Sequence, residues 1–254
     1  MKFSLFSRPR TEGLYLDLME KCLLNTIYDD PSLSTGVFDP HARERGLDWP
    51  RSAHTMIGEL RLHNLRMLVE TVLAERIPGD LIETGVWRGG ACILMRAVLK
   101  AWRCADRRVW VADSFAGVPP PDLAAYPADT GEVGRLYTFK ELAVSIEEVQ
   151  SNFRRYDLLD EQVHFLKGWF RDTLPGAPIA RLALIRLDGD LYESTDIALR
   201  SLYGKLSPGG FVIVDDYGNI EACRQAVTDF RAANAITDAI LNIDGAGVYW
   251  RKRK

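Results

Sequence analysis

From residue 78 onward the chain alternates short apolar runs with segments whose apolar residues recur every three or four positions. The runs at 80–84, 109–113, 163–166, 182–188, 211–215, 240–243 and 248–251 predict strands. The periodic segments at 90–103, 141–156, 194–206 and 220–233 predict the helices between them, with a short helical turn near Phe170. Such alternation builds an α/β sheet of mostly parallel strands with helices on both faces. Only Asp244-Gly245-Ala246-Gly247 separates the last two runs, a hairpin connection that brings the final strand in antiparallel. Two helical segments, 13–28 and 56–76, precede the first strand. They predict an N-terminal cap over residues 1–77 on a sheet domain over 78–254, as one compact unit. Between them, 29–51 is polar and loop-like. A second irregular stretch, 116–139, is rich in proline and glycine and reads as a lid or as a surface insertion.

Two of the apolar runs end in paired acids, the fourth in Asp188-Gly189-Asp190 and the fifth in Asp215-Asp216. Twenty-seven residues separate Asp188 from Asp215, the length of a strand, a crossover helix and a second strand, with Ser207-Pro208-Gly209-Gly210 closing the helix. Strands joined in this way are parallel and end on the same edge, where open α/β sheets bind ligands. Carboxylates crowded there repel unless something positive sits among them, and a hard divalent cation answers that need. Helix N-caps and turns use aspartate as well, which accounts for any one of the four.

The first strand runs into Glu83-Thr84-Gly85-Val86-Trp87-Arg88-Gly89-Gly90 and then an apolar helix, a nucleotide-binding arrangement in which glycine lets the backbone approach a ligand. The spacing is not the G-x-G-x-x-G of a dinucleotide site. Glu83 at its start is a poor neighbour for a pyrophosphate and suits a cationic ligand such as S-adenosylmethionine. Asp113 ends the second strand 28 residues after Gly85, where an acid takes the ribose hydroxyls of an adenosine ligand. Trp169 and Phe170, after the third strand, flank an adenine or pack into the core.

Composition narrows the classes. Of the 254 residues 47% are hydrophobic, enough for a sizeable core. The net charge of −3 leaves no basic face for nucleic acid. Cys22, Cys92, Cys104 and Cys223 are too scattered for a disulfide or metal framework and read as reduced thiols, most of them buried. Met1–Arg10 is too short and mixed for a signal peptide, and no run is long enough to cross a membrane. A cytoplasmic protein is expected. His54 reads as a capping or packing residue rather than a base.

The segments His54-Thr55-Met56-Ile57-Gly58, Glu83 to Ala91 (ETGVWRGGA), Ala112-Asp113-Ser114-Phe115, Gly168-Trp169-Phe170, Leu187-Asp188-Gly189-Asp190, and Ser207-Pro208-Gly209-Gly210-Phe211 with Asp215-Asp216-Tyr217 carry a resemblance. The chain resembles the macrocin O-methyltransferase family, metal-dependent enzymes that methylate sugar hydroxyls of antibiotics with S-adenosylmethionine. The resemblance implies a class I methyltransferase sheet of seven strands and a magnesium or other divalent ion on Asp188, Asp215 and Asp216. It makes Asp190 the general base. Cofactor contacts are implied at Met56, at Glu83, Thr84, Gly85, Val86, Arg88 and Gly89, at Asp113, Ser114 and Phe115, and at Gly168, Trp169 and Phe170. It also implies a small-molecule glycoside acceptor and a homo-oligomer. A catechol or phenolic O-methyltransferase shares the plan, although Asp-Asn is usual at its second acidic cluster. An NAD-dependent oxidoreductase is disfavoured by the glycine spacing and by Glu83.

Overall fold

A computed structural model describes residues 11–253 of the chain; the predicted mixed terminus Met1–Arg10 lies outside them. Seven strands form one sheet: β1 (Asp80–Thr84), β2 (Val109–Asp113), β3 (Val163–Lys167), β4 (Leu182–Leu187), β5 (Leu206–Val214), β6 (Leu241–Asn242) and β7 (Val248–Arg251). Their order is β3-β2-β1-β4-β5-β7-β6. Strands β1 to β5 pair in parallel, and β7 runs antiparallel to both β5 and β6, as the four-residue hairpin requires. The helices are α1 (Thr11–Leu24), α2 (Pro40–Glu44), α3 (Gly58–Ala74), α4 (Gly90–Ala101), α5 (Ile146–Arg155), α6 (Phe170–Thr173), α7 (Tyr192–Leu202) and α8 (Glu221–Ala233).

Alternation along each strand feeds two cores. Leu81, Val109, Val111, Leu184 and Ile213 pack beneath α1, α3, α4 and α5. Ile82, Trp110, Ile185, Val212, Val214 and Trp250 pack against α7 and α8 on the other face. Among the described residues no helix is long and apolar enough to cross a membrane. All four cysteines are free, but only Cys92 and Cys223 are fully buried.

Several boundaries differ from the sequence pattern, and three of them have a local cause. Helix α5 starts at Ile146 rather than 141, because the Ser145 hydroxyl accepts from the Glu148 N–H and fixes the N-cap there. Ser207-Pro208-Gly209-Gly210, expected to be a turn, lies inside β5; a register shift in the β4 pairing absorbs it, and the Gly209 N–H bonds to Lys252 O beyond β7. The polar stretch 29–51 contains α2, whose N-cap Asp39 accepts from the N–H groups of His41 and Ala42. Buried polar contacts anchor that stretch. Buried Arg43 donates to both Asp48 carboxylate oxygens and to the carbonyls of Leu24 and Asp30.

Candidate active site

Parallel pairing brings the ends of β1, β2, β4 and β5 level. One backbone bond beyond each strand continues the ladder: Gly85 N–H to Ala112 O, Asp188 N–H to Thr84 O and Asp215 N–H to Leu187 O, each 2.9 Å. Gly85 has φ +83°, and a Cβ there would sit 1.7 Å from the Asp188 carbonyl oxygen, so the crossing of these loops requires glycine. Above this edge lies a cavity of about 320 Å³, lined by the β1 turn, the acidic strand ends, the lid and the start of α3.

All four rim acids reach the cavity. Oxygens of Asp188, Asp215 and Asp216 lie within 4.8 Å of one another. The positive charge among them is already partly present as two arginines. Arg186 is 1% exposed and pairs with Glu83, its register neighbour across the β1–β4 ladder, with Asp188 at 2.8 Å and with Asp215. Arg61, from α3, pairs with the second Asp215 oxygen and lies 3.0 Å from Asp244. Asp215 is therefore gripped on both oxygens. Asp190 makes no side-chain hydrogen bond among the described residues and adopts φ +58° in the left-handed region, turned to the cavity. Burial first, then the charge of Asp215, pushes its carboxyl above the usual carboxylate range. Asp188 and Asp216 are pushed up in the same way, by burial and by their acidic neighbours.

Of the predicted cofactor residues, Met56, Glu83, Gly85, Val86, Asp113, Ser114, Trp169 and Phe170 line the cavity. Glu83 is 1% exposed and spends its charge on Arg186, also accepting from the Cys92 thiol at 2.8 Å. Asp113 accepts from the N–H groups of Val86 and Phe115, both at 2.7 Å, which ties the glycine turn to the end of β2. Thr84, Arg88, Gly89, Phe115 and Gly168 do not line the cavity. Thr84 lies on the opposite strand face from Glu83, and its hydroxyl faces the Arg186 carbonyl. The Arg88 guanidinium folds back over Trp87 and donates to the carbonyls of Pro50 and Ala53. Gly89 caps α4 against Val149, Phe115 packs on Phe165, and Gly168 turns at φ +141° behind Thr173. His54 also stays outside, its Nδ1 2.7 Å from the Tyr156 hydroxyl.

Sequence reasoning missed Arg61, Arg186, Trp49 and Glu193, all on the cavity or beneath it. A signal existed for Arg186: a lone charge in a strand buried on both faces must find partners. Arg61 carried none, because its carboxylate partners Asp215 and Asp244 stand more than 150 positions away.

The family model for macrocin O-methyltransferase matches residues 12–252. The chain belongs to that family. It is an O-methyltransferase, and the family implies S-adenosylmethionine as methyl donor. A Streptomyces olivaceus relative, 8-demethyl-8-(2,3-dimethoxy-alpha-L-rhamnosyl)-tetracenomycin-C 4'-O-methyltransferase, is 58% identical over 94% of this chain and 92% of its own. Demethyldecarbamoylnovobiocin O-methyltransferase of Streptomyces niveus is 53% identical over 95% and 94%. The solved structure of the O-methyltransferase NovP superposes with a TM-score of 0.93 at 53% identity, covering 96% of this chain and all of NovP.

The residues of the site fit both ligands that the family implies. An adenosine ligand fits a cavity bounded by the glycine turn and the aromatic pair Trp169-Phe170. A hard cation fits as well: Asp216 Oδ2 is buried with no hydrogen-bond partner among the described residues. Five carboxylates, including Glu83, against two guanidiniums leave negative charge uncompensated.

Proposed function

We propose that this O-methyltransferase methylates a sugar hydroxyl of a glycosylated natural product, with Asp190 as general base and a divalent cation held by Asp188, Asp215 and Asp216. The supporting observation is the single cavity that joins the glycine turn of β1 to four rim carboxylates. Both relatives described above are named for glycosylated or novobiocin-type acceptors. S-adenosylmethionine supplies an electrophilic methyl group. A divalent cation at the three aspartates supplies Lewis acidity that lowers the pKa of a nearby hydroxyl.

The chain's own residues do the rest. Arg61 and Arg186 fix Asp215 from two sides, and Arg186 also fixes Asp188, so the acidic edge is preorganised. Asp190, free of hydrogen bonds to its neighbours, accepts the proton of the acceptor hydroxyl as that oxygen takes the methyl group. The 116–139 stretch excludes water: Gly117, Val118, Pro119 and Leu136 line the cavity from above.

In the Asp190→Asn variant, turnover should fall by about a hundredfold or more, the usual worth of a general base. Affinity for S-adenosylhomocysteine, measured by calorimetry, should be retained. Treatment with EDTA should abolish turnover and added magnesium restore it. Full activity after EDTA would remove the cation from this reading, and loss of cofactor binding in Asp190→Asn would remove Asp190 from the base role.

A further inference from the structure

Glu193 has a feature that the methyl-transfer chemistry does not use. It stands in the first turn of α7, three residues after Asp190, and is 5% exposed. Its Oε1 accepts from Arg171 Nη1 at 3.1 Å. Its Oε2 is buried and has no hydrogen-bond partner among the described residues, and Glu193 lines the cavity.

Two structural explanations for a buried acid at this place fail. An acid in a first helical turn commonly serves the free N–H groups there. Here that service comes from the lid. Asp129, fully buried, accepts from the N–H groups of Tyr192 and of Glu193 itself, the latter at 3.0 Å. The pair with Arg171 accounts for only one oxygen, and the Arg171 side chain is half exposed, so it is stable in water without a buried partner. Burying the second oxygen costs desolvation free energy that no hydrogen-bond donor among the described residues offsets at that atom.

We infer that Glu193 is a ligand-binding residue, its Oε2 accepting a hydrogen bond from an O–H or N–H group of a molecule bound in the cavity. The inference rests on the methyl-transfer reading of that cavity. Two bound molecules carry such donors: the adenosine part of the cofactor, through its amine or ribose hydroxyls, and the acceptor sugar. The surroundings suit either. Gly189 lies close against Phe170 and Ser194, and all three line the cavity together with Asp190. Arg171 and Asp129 hold the carboxylate and its backbone, so the free oxygen is oriented before the ligand arrives.

The test uses the full chain with Glu193→Gln, which keeps the shape and places an amide where the acceptor was, and Glu193→Asp, which keeps the charge but withdraws it. Calorimetry gives affinity for S-adenosylhomocysteine, and then for demethyldecarbamoylnovobiocin, the acceptor named for the Streptomyces niveus relative. One of the two affinities should weaken about tenfold or more in both variants, the usual size of a lost hydrogen bond to a charged group, with the other affinity and the melting temperature unmoved. Weakened S-adenosylhomocysteine identifies the cofactor as donor; weakened acceptor identifies the sugar. The assignment is overturned if S-adenosylhomocysteine affinity is unchanged and acceptor affinity is unchanged or undetectable even in the parent protein. It is also overturned if both affinities fall together with the melting temperature, which marks a structural role. A parent protein that binds neither molecule and transfers no methyl group removes the methyl-transfer reading, and this inference with it.

Discussion

At the scale of single residues, Arg186 shows how the acidic edge holds together. It is buried at the penultimate position of β4 and faces Glu83, Asp188 and Asp215 at once. Replacing it with methionine strands the buried carboxylate of Glu83, removes the counter-charge of half-buried Asp188 and leaves Asp215 only Arg61. Removing one partner of a buried ion pair costs about 3–5 kcal/mol. Arg186→Met should lose stability on that scale in urea unfolding at neutral pH, and a loss under 1 kcal/mol would show that the cluster is neutralised in some other way. His54 makes a second residue-scale prediction. Burial, then the nearby charges of Arg155 and Arg88, lowers its pKa from 6.5 to about 4. As pH falls, the unfolded chain therefore binds that proton before the folded one does. Stability from this group is whole above about 6.5 and is lost on the way down to about 4, by up to about 3 kcal/mol. Carboxylates titrate over the same range, so the measure is a difference: His54→Gln should show a shallower loss of stability between these pH values than the parent. The four rim acids were legible in sequence because strand-end spacing places them on one edge. Arg186 was not, because one charged letter in an apolar run does not say which carboxylates it will meet.

At the scale of elements, the lid and α7 form one structure. The side chain before α7, Leu191, offers no cap, and Asp129 supplies it from a loop 63 and 64 positions upstream. Tyr126 stacks near Tyr192, with ring centroids 6.1 Å apart, and strengthens the same junction. This contact explains why the helical pattern, which predicts a start at Ser194, misses the first turn: the information that begins α7 is not local. The strands were readable because their periodicity is local, while the start of β5 was hidden by Pro208-Gly209, which reads as a turn in any single sequence. Asp129→Ala should therefore unfasten the lid while leaving the sheet intact. Loss of a helix cap costs about 1 kcal/mol, and limited proteolysis should cut the 116–139 stretch faster than in the parent. An unchanged cleavage pattern would show that other contacts hold the lid.

For the whole molecule, the question is whether the N-terminal helices are a separate cap or part of the sheet domain. Their packing argues for one unit. Leu16, Leu23, Leu62, Leu65 and Val69 have no exposed surface, and neither do Leu94, Met95 and Val98 of α4; all belong to one apolar cluster with strands β1, β2 and β4. The polar contacts cross the same boundary. Arg61 of α3 reaches Asp215 at the end of β5, Arg45 donates to the Asp244 carbonyl in the last hairpin at 3.0 Å, and the Gly90 N–H bonds to the His54 carbonyl at 2.9 Å. Gly90 leaves no room for a side chain there, since a Cβ would lie 2.4 Å from that carbonyl oxygen. A chain cut at residue 77 would expose the apolar face of α4 and leave Asp215 without one of its two arginines. Calorimetry of the full chain should accordingly show a single transition whose van't Hoff and calorimetric enthalpies agree. S-adenosylhomocysteine should raise the midpoint of that transition without splitting it, because the cavity draws its walls from α3, the strand ends and the lid alike. Two resolved transitions, with only one of them moved by the ligand, would show instead that the N-terminal helices fold apart from the site they help to line.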